Sequence, residues 1–361
     1  MNQPPNPVVV RTPPLPGFTT TLFVQADPGE YAAVAPLLDA SGVGVVYTQN
    51  STTRPWHNAA GPAQATLRRS TDRNVMLDAG QYAGTKRRMA EHGIDESWIR
   101  FQQRDLGLPW AMADSGYCAR GDLAGVETIL HACEKTSGNV IVPLPVSKYL
   151  LIEDADKVRG LIEKQDRPVA LIVEDAADPF GAVGVAAGLV HLIAGGAPVG
   201  LLRADTSALG ALAFGAPFAA IGTRPGLRHI PVGGGPVEVK VSMLVPTLLS
   251  YKYTEHVLEA YSADPSLPEW SCDCHVCDHQ RHVGWIPVLT DPTIEALRHS
   301  IGSVACIARE LGMHVDTATI WCAACADAQA AHFVVGDGSK VWKPKPFLRR
   351  WAELTPVRVG A

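Results

Sequence analysis

The chain has 361 residues, 47% of them hydrophobic and 19% charged, enough apolar material for one large core with an appendage. A formal net charge of -5 excludes a surface coated for polyanions, though not a local basic face. Six of the eight cysteines lie beyond residue 270, which favours a reducing compartment and metal ligation over disulfides.

Residues 1–18 are Pro-rich and lack the basic-then-apolar order of a secretory leader, so a cytoplasmic protein is expected. From residue 19 onward, short apolar runs alternate with Ala/Leu-rich stretches. Strands are predicted at 21–25, 43–48, 75–77, 110–113, 140–144, 169–173, 199–202 and 218–221. Residues 181–202 carry no formal charge, but their glycines, a proline and His191 fit a buried helix and strand rather than a membrane span. Apolar strands separated by helices imply a parallel sheet, and eight such units between residues 19 and 236 predict an α/β fold, a (β/α)8 TIM barrel. An open doubly wound sheet is the alternative.

Polar residues trail these runs: Asp27, Asn50, Asp78, Asp114, Ser147, Glu174 with Asp175, Asp205, and Thr223 with Arg224. In a barrel they share one rim, where catalytic groups gather. Taken singly, each is an ordinary helix cap. Gly80, Gly84 and Lys86-Arg87-Arg88 suggest a flexible loop whose cations either hold phosphates or face solvent.

Residues 232–236 read as a turn, 237–244 as an edge strand, and 251–261, 294–311 and 318–331 as helices. Between them stands Cys272-Asp273-Cys274-His275-Val276-Cys277, with His299 on a predicted helix further on. Three close thiolates and one distant imidazole are what a tetrahedral Cys3His zinc site requires, and a fully ligated zinc is structural. Cys272 and Cys274 are too close to bridge comfortably. His275, His279 and His282 are other nearby imidazoles. A ribbon of Cys274, Cys277, Cys322 and Cys325 is the rival ligand set. Residues 237–361 are accordingly read as a zinc-binding C-terminal subdomain. Its tail mixes Lys340, Lys343, Lys345, Arg349 and Arg350 with Trp342, Phe347 and Trp351, which suits phosphate contacts or a solvated surface over buried aromatics.

Together these features resemble the tRNA-guanine transglycosylases and their relatives that insert 7-deazaguanines into DNA. The likeness runs from about residue 21 to 311. Cys272, Cys274, Cys277 and His299 match the family's zinc pattern, with a slightly shorter gap to the histidine. Val75-Met76-Leu77-Asp78-Ala79-Gly80-Gln81-Tyr82 resembles its Asp-Ser-Gly-Gly-Tyr/Phe-Gln segment, and residues 104–114 resemble the strand whose aspartate reads the guanine edge. Gln49-Asn50 is similar to the end of its second strand. The resemblance implies a pentosyltransferase that exchanges a guanine in tRNA or DNA for a 7-deazaguanine, with family members commonly pairing through the zinc lobe. It gives Asp78 the acid–base role, Tyr82 the stacking role, and Asp114 and Asn50 a place around the base.

Three departures stand beside it. The family's nucleophilic aspartate falls on Ala220; its Gln-Gly-Gly is replaced by Pro143-Leu144-Pro145-Val146-Ser147, and its Gly-Gly-Leu by Glu174-Asp175-Ala176. A nucleophile would come from a neighbouring strand: Asp205 first, then Glu174 or Asp175. The competing expectation is a non-catalytic subunit or nucleic-acid scaffold that kept the barrel and lost the nucleophile.

Overall fold

A computed structural model of the chain describes residues 13–49, 55–70, 72, 74–230, 240–278, 282–336 and 339–356. Asn50, His279 and the turn expected at 232–236 lie outside the described residues. Eight strands form one sheet: β1 (Leu22–Ala26), β2 (Gly44–Thr48), β3 (Val75–Asp78), β4 (Ala111–Met112), β5 (Val140–Ser147), β6 (Val169–Glu174), β7 (Val199–Ala204) and β8 (Ala219–Gly222). Each falls within a few residues of its expected place. The order is β3-β2-β1-β8-β7-β6-β5-β4, with every paired neighbour parallel. β3 and β4 lie side by side without a ladder, so the sheet is an α/β barrel that is nearly closed.

The two faces sort by strand alternation. Phe23, Val46, Met76, Met112, Ile141, Ala170, Ile172, Leu202, Phe218 and Ala220 fill the interior. Leu22, Val24, Val45, Tyr47, Val75 and Leu77 point outward under the helices. Those helices are α1 (Tyr31–Ser41), α2 (Pro55–Arg69), α3 (Glu96–Arg100), α4 (Leu123–Glu134), α5 (Lys148–Glu153), α6 (Ala155–Ile162), α7 (Val185–Ile193) and α8 (Ser207–Ala213). The uncharged stretch at 181–202 resolves into α7 and β7, and no helix is long and apolar enough to cross a membrane.

Among the described residues, only one 3-10 turn (Pro225–Leu227) separates β8 from the next strand, so the eighth unit brings no long helix of its own. The C-terminal part follows as β9 (Ser242–Val245), β10 (Ser250–Tyr253), α9 (Thr254–Ala263), α10 (Pro292–Gly312), α11 (Thr317–Val335) and α12 (Pro346–Ala352). α10 packs on α1, α8 and β1, which is where an eighth barrel helix would lie. Ile301, Val304, Trp321, Phe347 and Trp351 thereby join the same apolar cluster as the barrel's outer face. Gly210 permits this approach: a Cβ there would stand 2.6 Å from Trp321 Nε1 and 2.8 Å from the Trp351 ring.

One expectation changes, and one pair of alternatives is decided in favour of buried aromatics. Residues 251–253 belong to an antiparallel hairpin with β9, and the helix begins only at Thr254. Four alternating residues, two of them tyrosine, are too few for a periodicity to separate strand from helix. Trp342, Phe347 and Trp351 are core residues; Trp351 Nε1 donates to Ser207 Oγ at 3.0 Å.

Candidate metal centre and barrel mouth

Cys272, Cys274, Cys277 and His299 come together, all buried, with their ligand atoms within 4.8 Å of one another. A short loop supplies the thiols and α10 supplies the imidazole. His299 Nδ1 lies 3.8 Å from Cys272 Sγ, 3.8 Å from Cys274 Sγ and 3.2 Å from Cys277 Sγ. Bond lengths of about 2.3 Å to sulfur and 2.0–2.1 Å to nitrogen require S···N edges of roughly 3.5 Å in a tetrahedron, so the set fits a single ion. The other ring nitrogen, Nε2, donates to the Leu244 carbonyl at 2.7 Å, which fixes the tautomer with Nδ1 free to ligate. Hydrogen bonds from Cys272 and Cys277 hold the Cys274 thiol well below its usual range. This cluster can therefore hold a metal ion. The rival ribbon is not formed: Cys322 and Cys325 sit on α11 in the core shared with the barrel.

At the mouth of the barrel, Asp78 ends β3 fully buried. Its Oδ2 accepts from Gln25 Nε2 and Thr48 Oγ1, both at 3.1 Å, and from the Tyr82 hydroxyl; Oδ1 accepts from Gly80 N at 2.9 Å. Gly80 has φ +63°, and a Cβ there would stand 2.2 Å from the Gln49 carbonyl oxygen, so the turn needs glycine. The loop that follows crosses the mouth. Arg87 pairs with Glu174 of β6 and lies 3.7 Å from the Tyr117 ring centroid. Arg88 pairs with Asp114 at 2.6 Å, and Asp114 also accepts from Asp95 N at 2.6 Å. Burial raises the Asp114 pKa, against the pull of the Asp95 amide and of Arg88. Arg87 and Arg88 are thus engaged with protein carboxylates rather than open to phosphates.

The other acids of the rim divide. Asp175 pairs with Lys148 at 2.7 Å. Asp27 caps the turn after β1 through Gly29 N, and Thr223 and Arg224 both bind Glu30. Among the described residues, Asp205 Oδ1 accepts from the adjacent Thr206 N at 2.7 Å. Its side chain lines a cavity of about 420 Å³ between the loops after β6, β7 and β8 and the C-terminal lobe, within the rough 300–1,000 Å³ range of small-molecule sites. The structure does not bring Asp78, Asp114, Glu174 and Asp175 into that cavity with Asp205.

Three kinds of group surround Asp205 there. Asp178 Oδ2 is buried without a hydrogen-bond partner among the described residues, and burial, with the Asp205 charge next, raises its pKa to about 7. Arg228, Lys252, Lys340 and Lys345 are the cations. Burial lowers Lys252 to about 8, and its Nζ donates to the Val341 carbonyl at 2.7 Å. Arg228 lies 3.3 Å from the Tyr251 ring centroid and donates to the Gly222 carbonyl at 3.1 Å. Burial also lowers the His229 pKa. Sequence reasoning missed Asp178, Arg228, His229 and Lys252. Only the Asp178-Pro179 step, a turn signal just after a strand, pointed to any of them.

No family model matches the sequence, and no curated protein matches it. Among solved structures, the chain is similar to the enoyl reductase domain of MlnA from the macrolactin biosynthesis cluster of Bacillus amyloliquefaciens. That likeness covers 94% of this chain and 90% of that one, at 10% identity and a TM-score of 0.32, and supports no conclusion about function.

Proposed function

We propose that this protein is a nucleobase transglycosylase that exchanges a guanine in tRNA or DNA for a 7-deazaguanine, with Zn2+ in the Cys3His cluster as a structural ion. The observation that carries the reading is the cavity holding Asp205 and Asp178 together, ringed by Arg228, Lys252, Lys340 and Lys345. Glycosidic exchange needs one carboxylate to meet the sugar carbon and a second group to move a proton on the base. Two acids whose environments differ supply such a division of labour.

In this reading the Asp205 carboxylate displaces the departing base at the sugar's anomeric carbon and forms a glycosyl ester. Asp178 gives its proton to the departing base. The incoming base then attacks the same carbon, releases Asp205 and returns a proton to Asp178. Lys340 and Lys345, both exposed, meet backbone phosphates, while Arg228 and Lys252 are buried and held by the Gly222 and Val341 carbonyls. Asp78 has a donor on every side, so it and Tyr82 hold the mouth in shape, and the acid–base step passes to Asp178. Asp114 and Glu174 act through the loop they anchor, and Asp175 is held by Lys148 of α5.

The test is a covalent trap. The protein is incubated with guanine-containing tRNA or DNA and a 7-deazaguanine, then denatured. The wild type is expected to give a denaturant-resistant adduct and base incorporation, and Asp205→Ala neither. No adduct and no incorporation with either polymer would discard the reading. One observation favours a second reading, a non-catalytic subunit of the same fold: Ala220, buried on β8, stands where the resemblance expects the nucleophile. That subunit would bind polymer without incorporating base, and Asp205→Ala would leave its binding unchanged.

A further inference from the structure

Arg203, the penultimate residue of β7, makes no ion pair among the described residues and is 3% exposed. Its Nε and Nη1 are buried without a hydrogen-bond partner among the described residues. A guanidinium keeps its charge throughout the working pH range, so unlike Asp178 it cannot escape burial by changing protonation. Asp78, which shares Tyr82 as a neighbour with Arg203, already has four donors.

The backbone at Arg203 is also unusual. Its φ is +49°, in the left-handed region that long side chains avoid. The ladder between β7 and β8 shifts register here, pairing Leu201 with Ala219 and Ala204 with Ile221, so β7 carries one extra residue. Such a bulge re-aims a side chain. The Arg203 amide donates to Gln25 Oε1 at 2.7 Å inside the barrel, and the guanidinium lies 5.2 Å from the Tyr82 ring centroid. Strain, burial and unmatched donors thus coincide at one residue, a combination that persists where a ligand compensates it.

We infer that Arg203 receives an oxyanion at the barrel mouth, the carboxylate or phosphate group of a small ligand held beside Tyr82. A guanidinium matches either group through charge-assisted hydrogen bonds. His229, which lines the cavity, feels the charges of both Arg203 and Arg228, so the anion site and the cavity are within electrostatic reach of each other. The ligand enters when the loop tied down by Arg87–Glu174 and Arg88–Asp114 lifts. This site does not depend on the transglycosylase reading; it would serve any reaction at this mouth.

Thermal melts and calorimetric titrations with inorganic phosphate and with acetate, against chloride at equal ionic strength, test it. The wild type is expected to give a saturable rise in melting temperature with at least one of the two. Arg203→Met is expected to lose that response and, without anion, to melt no lower than the wild type, because an unmatched buried charge has been removed. Arg203→Lys keeps the charge in another shape and should bind the anion at least tenfold more weakly. A phosphate-only response identifies a phosphoryl ligand, and an acetate-only response a carboxylate. No response in the wild type, or an equal one in Arg203→Met, overturns the inference. Should Arg203→Met fail to fold, undiminished binding by Arg203→Lys overturns it as well.

Discussion

The two halves of the barrel mouth satisfy their charges in opposite ways. On the side of β3 and β4, Asp78 has four donors and Asp114 has Arg88 and the Asp95 amide. On the side of β6 to β8, Asp178 Oδ2 and two nitrogens of Arg203 have no partner among the described residues, and a cavity opens beside Asp178. A buried network that is fully satisfied rigidifies a fold, whereas unsatisfied groups mark where something else is meant to bind. The acids of the first half are settled, although the neutral Gln49 side chain beside them has no partner among the described residues, and the charges of the second half are not, which makes it the candidate working face.

The largest expected effect comes from the metal, because the open half leans on it. Leu244 of β9 anchors His299, and the adjoining β10 supplies Tyr251 and Lys252 to the cavity. With the proposed zinc in the Cys3His cluster, chelation, or Cys277→Ser, should remove one zinc per chain by elemental analysis and on the order of 10 kcal/mol of lobe stability. Hydrogen exchange should then show residues 242–253 deprotected while β1 and β3 stay protected. Equal loss in both halves would break the distinction.

Next in size is Asp78→Asn, which leaves buried donors facing a weaker acceptor and should cost about 3–5 kcal/mol by urea denaturation. Asp178→Asn at pH 5 should change stability by less than about 1 kcal/mol, since its carboxyl is already protonated there. Similar costs for the two would mean that the acids do not differ as described. Gly80→Ala forces a side chain into the left-handed region against the Gln49 carbonyl, and a loss of about 2 kcal/mol is expected in the same assay.

The smallest effect is a pH dependence. The folded-state pKa of Asp178 is raised to about 7, above an unfolded value of about 3.9. The folded state therefore holds the extra proton between those values, and stability from this group falls as pH rises from about 4 to 7. Asp178 is partly exposed, so solvent screening limits the loss to about 1–2 kcal/mol. Urea midpoints at pH 5 and pH 8 should show Asp178→Asn losing less than the wild type across that interval; parallel losses would remove Asp178 from the working face.

Much of the metal centre was readable in advance because its ligands are local: three thiols on one short loop and one imidazole on a long, strongly periodic helix. The eight strands were readable because each is buried on both faces and so almost wholly apolar up to its C-terminal end. The use of α10 as the barrel's missing outer helix was not, since nothing in an amphipathic pattern says which surface it will cover. Arg203 was hidden for a similar reason: a bulge depends on the pairing of two strands, and an arginine at a strand end looks like a solvated residue.

Sequence by itself determined which segments become strands and which four residues can grip a metal, because both follow from patterns a few residues long or from ligand chemistry alone. Only the tertiary structure decided which rim acids are free. Asp78 draws a donor from Gln25, 53 residues away, and Glu174 is claimed by Arg87, 87 residues away. A carboxylate's fate is set by the donors that folding brings to it, and those lie too far along the chain for any local pattern to record.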